Sequence, residues 1–342
     1  MAELWFSALA LMLTGFVIFG GADFGVGALS LAFAKTDGER RAAIGAIGPF
    51  WHGNEVWLIA SGGVLFLAFP TLLATAFPAF YLALFLVLWC LVLRGIALEV
   101  RSHVGDPLWR GFWDVVFCGS SGLLALLFGV ALGNVVRGVP VGPDHHFTLA
   151  FFTTFLPLGE VGLLDYYTVS VGLLSLVALL AHGAAFLAFR CEGDLRARAR
   201  RAERRFWVAG AVLFAVVSLE TLGIRPELFA ALAGRPLAWV FTLVAIGGAL
   251  LGARAHRHEQ DGLVFVGGAL LLGGLLAATA VGLYPTLLRS TLDPGASLTA
   301  AGTLSAPYGL TVALAWWPVA LALAITYFTF MFRKHAGKLP SE

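Results

Sequence analysis

Charge is scarce in this 342-residue sequence: Asp, Glu, Lys and Arg together make up 12% of it, against roughly 25% in an average soluble domain. With 59% hydrophobic residues and a mean hydropathy of +0.89, that shortfall excludes an ordinary soluble fold. A net charge of +2 leaves too little positive excess for nucleic acid to be a partner. Cysteine is nearly absent. Cys90, Cys118 and Cys191 show no C-x-x-C spacing and two of them lie in apolar runs, which argues against a disulfide framework or a zinc site and leaves them as packing residues. P-loop, H-E-x-x-H and G-x-S-x-G patterns are missing, so nothing marks an independent active site. A basic leader is missing too. Glu3 precedes the first apolar run and no Lys or Arg occurs before Lys35, the reverse of a signal peptide, so the run is expected to stay in the mature protein.

What is abundant is apolar sequence in runs of about 20 residues, the length that crosses roughly 30 Å of hydrocarbon. Nine such spans are read at 4–34, 44–69, 79–97, 112–135, 168–189, 206–224, 239–251, 262–283 and 310–332. Basic residues test the count. Lys35, Arg40, Arg41, Arg101, Arg110, the arginines from Arg190 to Arg205, Arg254, Arg257, Arg333, Lys334 and Lys338 fall on one side, and only Arg137, Arg225, Arg235 and Arg289 on the other. This puts the N terminus outside and the C terminus in the cytoplasm.

A short echo relates Gly27-Ala-Leu-Ser-Leu-Ala-Phe33 to Gly183-Ala-Ala-Phe-Leu-Ala-Phe189. An even number of spans separates the copies, so the repeats would be parallel. The expected architecture is an all-α integral membrane protein: a first four-helix bundle (1–135), an outer loop (136–167), a second four-helix bundle (168–284), an outer loop (285–309), and a peripheral ninth helix with a cytoplasmic tail (310–342).

Charged groups at helix centres cost about 2.5 to 3.5 kcal/mol on insertion scales, so each should face protein or water. The first two spans form a hairpin about Gly38, from which positions 23 and 54 are about equally far. Asp23 is therefore expected level with Asn54 and Glu55. On the second span His52 and Glu55, three apart, share a face, as do Trp51 and Glu55, four apart. Gly20, Gly21, Gly25, Gly27 and Gly53 permit close helix contact. Two readings of Asp23, His52 and Glu55 stand side by side: a proton-handling cluster, since imidazole titrates near neutrality, or a polar network that only locks the bundle.

Elsewhere, Arg94 and Glu99 read as a paired anchor or as side chains snorkelling to the inner interface. Asp114 complements the N-terminal dipole of its helix. His182 reads as a core histidine before a haem ligand, and Glu220 as an interfacial group in solvent contact. Trp5, Trp239, Trp316 and Trp317 fit an aromatic belt, whereas Trp51 and Trp57 fall inside the polar stretch.

These residues carry a family resemblance. Ile47-Gly-Pro-Phe-Trp-His-Gly-Asn-Glu-Val-Trp-Leu-Ile59, continued by Gly62-Gly63 and Phe69-Pro70, resembles the most characteristic block of subunit II of bacterial cytochrome bd quinol oxidase. Gly21-Ala-Asp-Phe-Gly-Val-Gly27, Trp109-Arg-Gly-Phe-Trp-Asp114, Gly129-Val-Ala-Leu-Gly-Asn134 with Gly138-Val-Pro140, His182-Gly-Ala184 with Glu192-Gly-Asp-Leu-Arg196, and Ser305-Ala-Pro-Tyr-Gly-Leu-Thr311 extend it over nearly the whole chain.

The resemblance implies a subunit without haem in a bacterial inner-membrane quinol oxidase that reduces oxygen to water. Haem b and haem d would lie in a homologous partner, subunit I. It further implies proton and oxygen routes toward haem d, with Asp23, Asn54 and Glu55 at polar positions of the family and Trp57 at the tryptophan of the oxygen route. A small single-helix subunit, membrane lipid and a structural quinone are further partners it allows. His52 departs from the commoner Trp-Asp-Gly-Asn pattern, which puts a direct transfer of that acid's proton role in doubt. A proton-coupled secondary transporter and a purely scaffolding subunit are the competing readings.

Overall fold

The computed structural model describes residues 1–340 and is overwhelmingly helical. In chain order the helices are α1 (Ala2–Phe33), α2 (Asp37–Ile47), α3 (Trp51–Ala68), α4 (Pro70–Ala79), α5 (Tyr81–Val100), α6 (Pro107–Arg137), α7 (Tyr166–Arg190), α8 (Gly193–Ile224), α9 (Pro226–Gly234), α10 (Pro236–Arg257), α11 (Asp261–Leu283) and α12 (Pro307–Lys334). Among the described residues eight helices are long and apolar enough to cross a membrane, and nine if the bent pair α3 and α4 counts as one.

The second expected span, 44–69, is where sequence and structure differ most. Thr36 and Glu39 form a capping box, Glu39 N–H donating to Thr36 Oγ1 at 3.1 Å and Thr36 N–H to Glu39 Oε2 at 3.4 Å, which starts the short helix α2. Gly48 and Pro49 then interrupt it, because proline has no N–H to continue the ladder, and α3 begins at Trp51. At the other end Phe69-Pro70 breaks the chain again, and α4 departs at 117°. Residues 44–47 thus close a separate helix whose first turns carry Asp37, Glu39, Arg40 and Arg41. The seventh span extends beyond 239–251 at both ends, started by Pro236 at the first helical position.

Helices α1, α3, α5 and α6 pack among themselves, as do α7, α8, α10 and α11; α6 and α7 make the most extensive contact between the two groups, followed by α1 with α7 and α1 with α11. Glycine sets the closest approach. A Cβ on Gly25 would collide with the Leu179 carbonyl oxygen, and one on Gly183 would collide with the Gly25 backbone. Helix α12 lies at the edge and touches α3. Its Phe328 and Phe332 stack on Phe19 and Phe50 respectively, at 4.9 and 4.7 Å.

Contacts place the strongly basic segments at one end. Arg198 of α8 binds the Phe33 carbonyl and Glu39, Arg101 binds Asp37 and Asp114, and Lys338 binds Asp261. At the opposite end the segments 138–165 and 284–306 pack together through Val139, Val141, Phe147, Leu288 and Leu298. There the strands β1 (Thr286–Leu288) and β2 (Leu298–Thr299) pair antiparallel. Trp5 does not join an aromatic belt: it is buried against Val64, Ala68, Phe69 and Leu310, whereas Trp239 and Trp316 are exposed.

Candidate functional site

Three helices bring a buried polar group together. Asp23 comes from α1, Asn54 and Glu55 from α3, and Arg94 from α5. Asn54 donates from Nδ2 to Asp23 Oδ2 at 2.8 Å and reaches the Phe19 carbonyl at 3.4 Å. The Arg94 guanidinium donates to Glu55 Oε1 at 3.0 Å and lies 3.5 Å from Asp23 Oδ2. Its planar face also covers Phe24, 5.0 Å from the ring centroid, a contact that stabilises a desolvated cation.

Arg94 and Asp23 are buried, whereas the Glu55 side chain is 26% exposed. Burying an ion costs several kcal/mol unless partners compensate it. One guanidinium neutralises one carboxylate, so this group balances when Asp23 and Glu55 share a single proton. The arrangement has the chemistry of a site that holds a proton between a buried and a half-exposed acid.

His52 forms no hydrogen bond or ion pair within that group, although it is near enough to Glu55 to act on it electrostatically. It is exposed on the outer face of α3 and stacks on Trp51 with ring centroids 3.6 Å apart. Sequence spacing puts it one turn from Glu55 but could not tell which side of the shared face turned inward. Arg94 takes the central place instead. Its expected partner Glu99 is exposed, and five helical positions separate them by about 140°, so they cannot share a face. Trp57 packs between α1 and α12, stacked on Phe19 at 6.1 Å and near Phe328 at 5.8 Å, with Gly15 beneath its ring.

Asp114 has a different role from the one its position suggested. Asp106 is the N-cap of α6, accepting from Leu108 and Trp109 N–H at 2.7 and 3.0 Å, and Asp114, further along the helix, is buried. It binds Arg101 at 2.5 Å and Arg40 at 2.9 Å. Asp37 joins this network through Arg101, Arg110 and Arg41, and the hydrogen bond from Arg101 holds its carboxyl below the usual range. Burial pushes the nearby Glu39 carboxyl up, but bonds from Arg198 and from the Lys35 and Thr36 N–H groups outweigh it and leave it lowered. Burial likewise opposes the Arg101 charge, and its bonds to Asp114 and Asp37 more than reverse that.

His182 is fully buried, its Nε2 3.0 Å from the Ile18 carbonyl and its ring stacked on Phe265, as a packed core side chain would be. Glu220 accepts from Ser170 at 3.2 Å and is half-buried, so it has a protein partner as well as solvent. A second buried group, Arg137 with Asp165 and Asn134, was missed in the sequence. Asp165, which opens α7 as an N-cap, was the available signal. No cluster of three His, Cys, Asp or Glu side chains suited to a metal ion occurs among the described residues.

Comparison with known proteins bears on this geometry. Residues 1–335 match the family model described as cytochrome bd terminal oxidase subunit II. The chain is 31% identical to a probable cytochrome oxidase subunit 2 of Haemophilus influenzae, over 99% of this chain and 95% of that one. It is 31% identical to cytochrome bd ubiquinol oxidase subunit 2 of Bacillus subtilis, over 98% and 96%, and 29% identical to cytochrome bd-I ubiquinol oxidase subunit 2 of Escherichia coli strain K12, over 99% and 95%. The fold matches a chain of the bd oxidase from Geobacillus thermodenitrificans with a TM-score of 0.76, at 19% identity and 97% coverage of both. With that match along nearly its full length, this multi-pass membrane chain belongs to the cytochrome bd terminal oxidase subunit II family.

Proposed function

We propose that this chain is the haem-free subunit of a quinol:oxygen oxidoreductase, supporting a haem-bearing subunit I and giving protons access to its oxygen-reducing site. The observation that carries the proton role is the Asp23, Asn54, Glu55 and Arg94 group: a fully buried acid linked through one guanidinium to an acid that reaches the surface of α3. Glu55 receives a proton from the surface side, Arg94 offsets the remaining charge, and Asp23 holds the proton inside. His52, exposed one turn away, passes protons to Glu55 in this reading. Trp57, walled by Phe19 and Phe328, borders the apolar route proposed for oxygen.

The same proposal sets the basic end in the cytoplasm and the N terminus outside, and divides the chain into bundles 1–135 and 168–284 with α12 peripheral. Haems b and d, when bound in the partner, supply the electron transfer and oxygen reduction; the residues here handle protons and packing. A scaffolding reading is favoured by one observation, the pairing of Arg94 with both acids, which fits a lock as well as a relay. A carrier reading has no observation in its favour.

A reduced-minus-oxidised visible spectrum of the complex isolated through this chain tests the subunit assignment. Haem b and haem d bands together with a second, larger membrane subunit are expected. A colourless single-chain preparation under conditions that preserve assembly would overturn it.

A further inference from the structure

The basic end holds a groove that the oxidase role does not use. It has a volume of about 720 Å³ and lies between the first turns of α8 and the last turn of α10. Arg196, Arg200 and Arg204 recur every fourth residue of α8 and so form one stripe along it, with Arg201 and Arg205 beside them; all five line the groove. Asp261 fixes the inner part of the stripe, binding Arg196 Nε at 2.7 Å and also Arg200. Arg200 is further held by the His256 carbonyl at 2.9 Å. The outer part is less engaged, with the Arg204 charge acting on Glu203 from a distance. Arg201, Arg204 and Arg205 are exposed, and no carboxylate forms an ion pair with them among the described residues. His256 is turned to Glu203, at 2.7 Å, which leaves Glu259 at the rim as the one carboxylate in the lining.

We infer that this groove binds the phosphate headgroup of an anionic phospholipid. Guanidinium forks suit the oxygens of a phosphate ester better than ammonium does, and basic pockets between transmembrane helices on the cytoplasmic side take anionic headgroups. A free phosphate-bearing anion has the same headgroup chemistry. The lipid is favoured by what lies next along both helices. Val208 closes the membrane side of the groove. Beyond it α8 exposes Val212 and Leu219, and α10 exposes Ile246 and Leu250. Helices α8 and α10 each pack on a neighbour, α7 and α11, far more than on one another, so acyl chains have apolar surface to follow away from the arginines.

The test uses the intact oxidase complex, delipidated in detergent and offered phosphatidylglycerol mixed with phosphatidylcholine, with retained lipid counted by native mass spectrometry. The complex should retain phosphatidylglycerol, R201Q/R204Q should lower its occupancy by about tenfold or more, and R201K/R204K, which keeps the charge but not the fork, should fall between the two. Unchanged haem bands in the glutamine variant separate lost binding from lost folding, and R205Q serves as the milder variant if the double one fails to assemble. Equal phosphatidylglycerol retention in the arginine and glutamine forms would overturn the inference. So would stabilisation by inorganic phosphate with none by the lipid, which would assign the groove to a soluble anion.

Discussion

Arg94 supplies the positive charge in a buried group that holds two carboxylates, so its loss should cost far more than its own contacts. Arg94→Gln leaves the single negative charge that Asp23 and Glu55 share without its counter-charge, and whenever that charge sits on Asp23 it is stranded in a dry site, a situation that costs about 3 to 5 kcal/mol. The thermal unfolding midpoint of the complex should fall, and adding Asp23→Asn should restore part of it, because the second change removes the stranded charge. Equal midpoints for Arg94→Gln and the parent would mean that water already reaches the group. The hairpin argument about Gly38 placed Asp23 beside Asn54 in the sequence alone. It could not find Arg94, because long-range contact across α5 leaves no local pattern, and it could not turn His52 outward, because spacing fixes a shared face but not its direction.

At the scale of elements, the α1/α7 crossing depends on two hydrogen atoms in place of side chains. Gly183→Val sets methyl groups against the Gly25 backbone, and overpacking of this kind costs about 1 to 3 kcal/mol or more. Yield of assembled complex should drop. Gly247→Ala is the control: nothing lies within 4 Å of the added carbon, so stability should hold or rise by about 0.5 to 1 kcal/mol. Similar yields of the two variants would contradict the crossing. The long apolar runs made most helices legible, since length and hydropathy alone define them. The break at Gly48-Pro49 was written in the sequence as well, but the apolar pattern continuing past it concealed that α2 and α3 are separate helices. The kink at Phe69-Pro70 fell at the expected end of a span and passed as its boundary.

For the whole molecule, the basic end is tied together by carboxylates from one segment and arginines from others. Asp37 and Glu39 have lowered pKa values in the folded state. Their contribution is therefore fully present above the unfolded carboxylate values of about 4, and is lost as pH falls through the lower folded values. The share of the unfolding midpoint that these two carboxyls supply should stay level from about pH 5 to 8 and decline below about pH 4. Asp37→Asn should lower the midpoint on the neutral plateau and shallow the acid decline; an unchanged profile would show that the network contributes nothing. The grouping of basic loops was read correctly because it follows from the alternation of spans, whereas the particular pairs, Arg198 with Glu39 or Arg101 with Asp114, join segments far apart in sequence.

The proton role of the buried group is the central claim, and quinol-dependent oxygen consumption of Asp23→Asn and Glu55→Gln complexes, normalised to haem content, tests it most directly. The account expects turnover to fall severalfold in each while the haem bands keep their parental intensity. Turnover that falls only in step with haem content would show that Asp23 and Glu55 hold the bundle together and carry no protons.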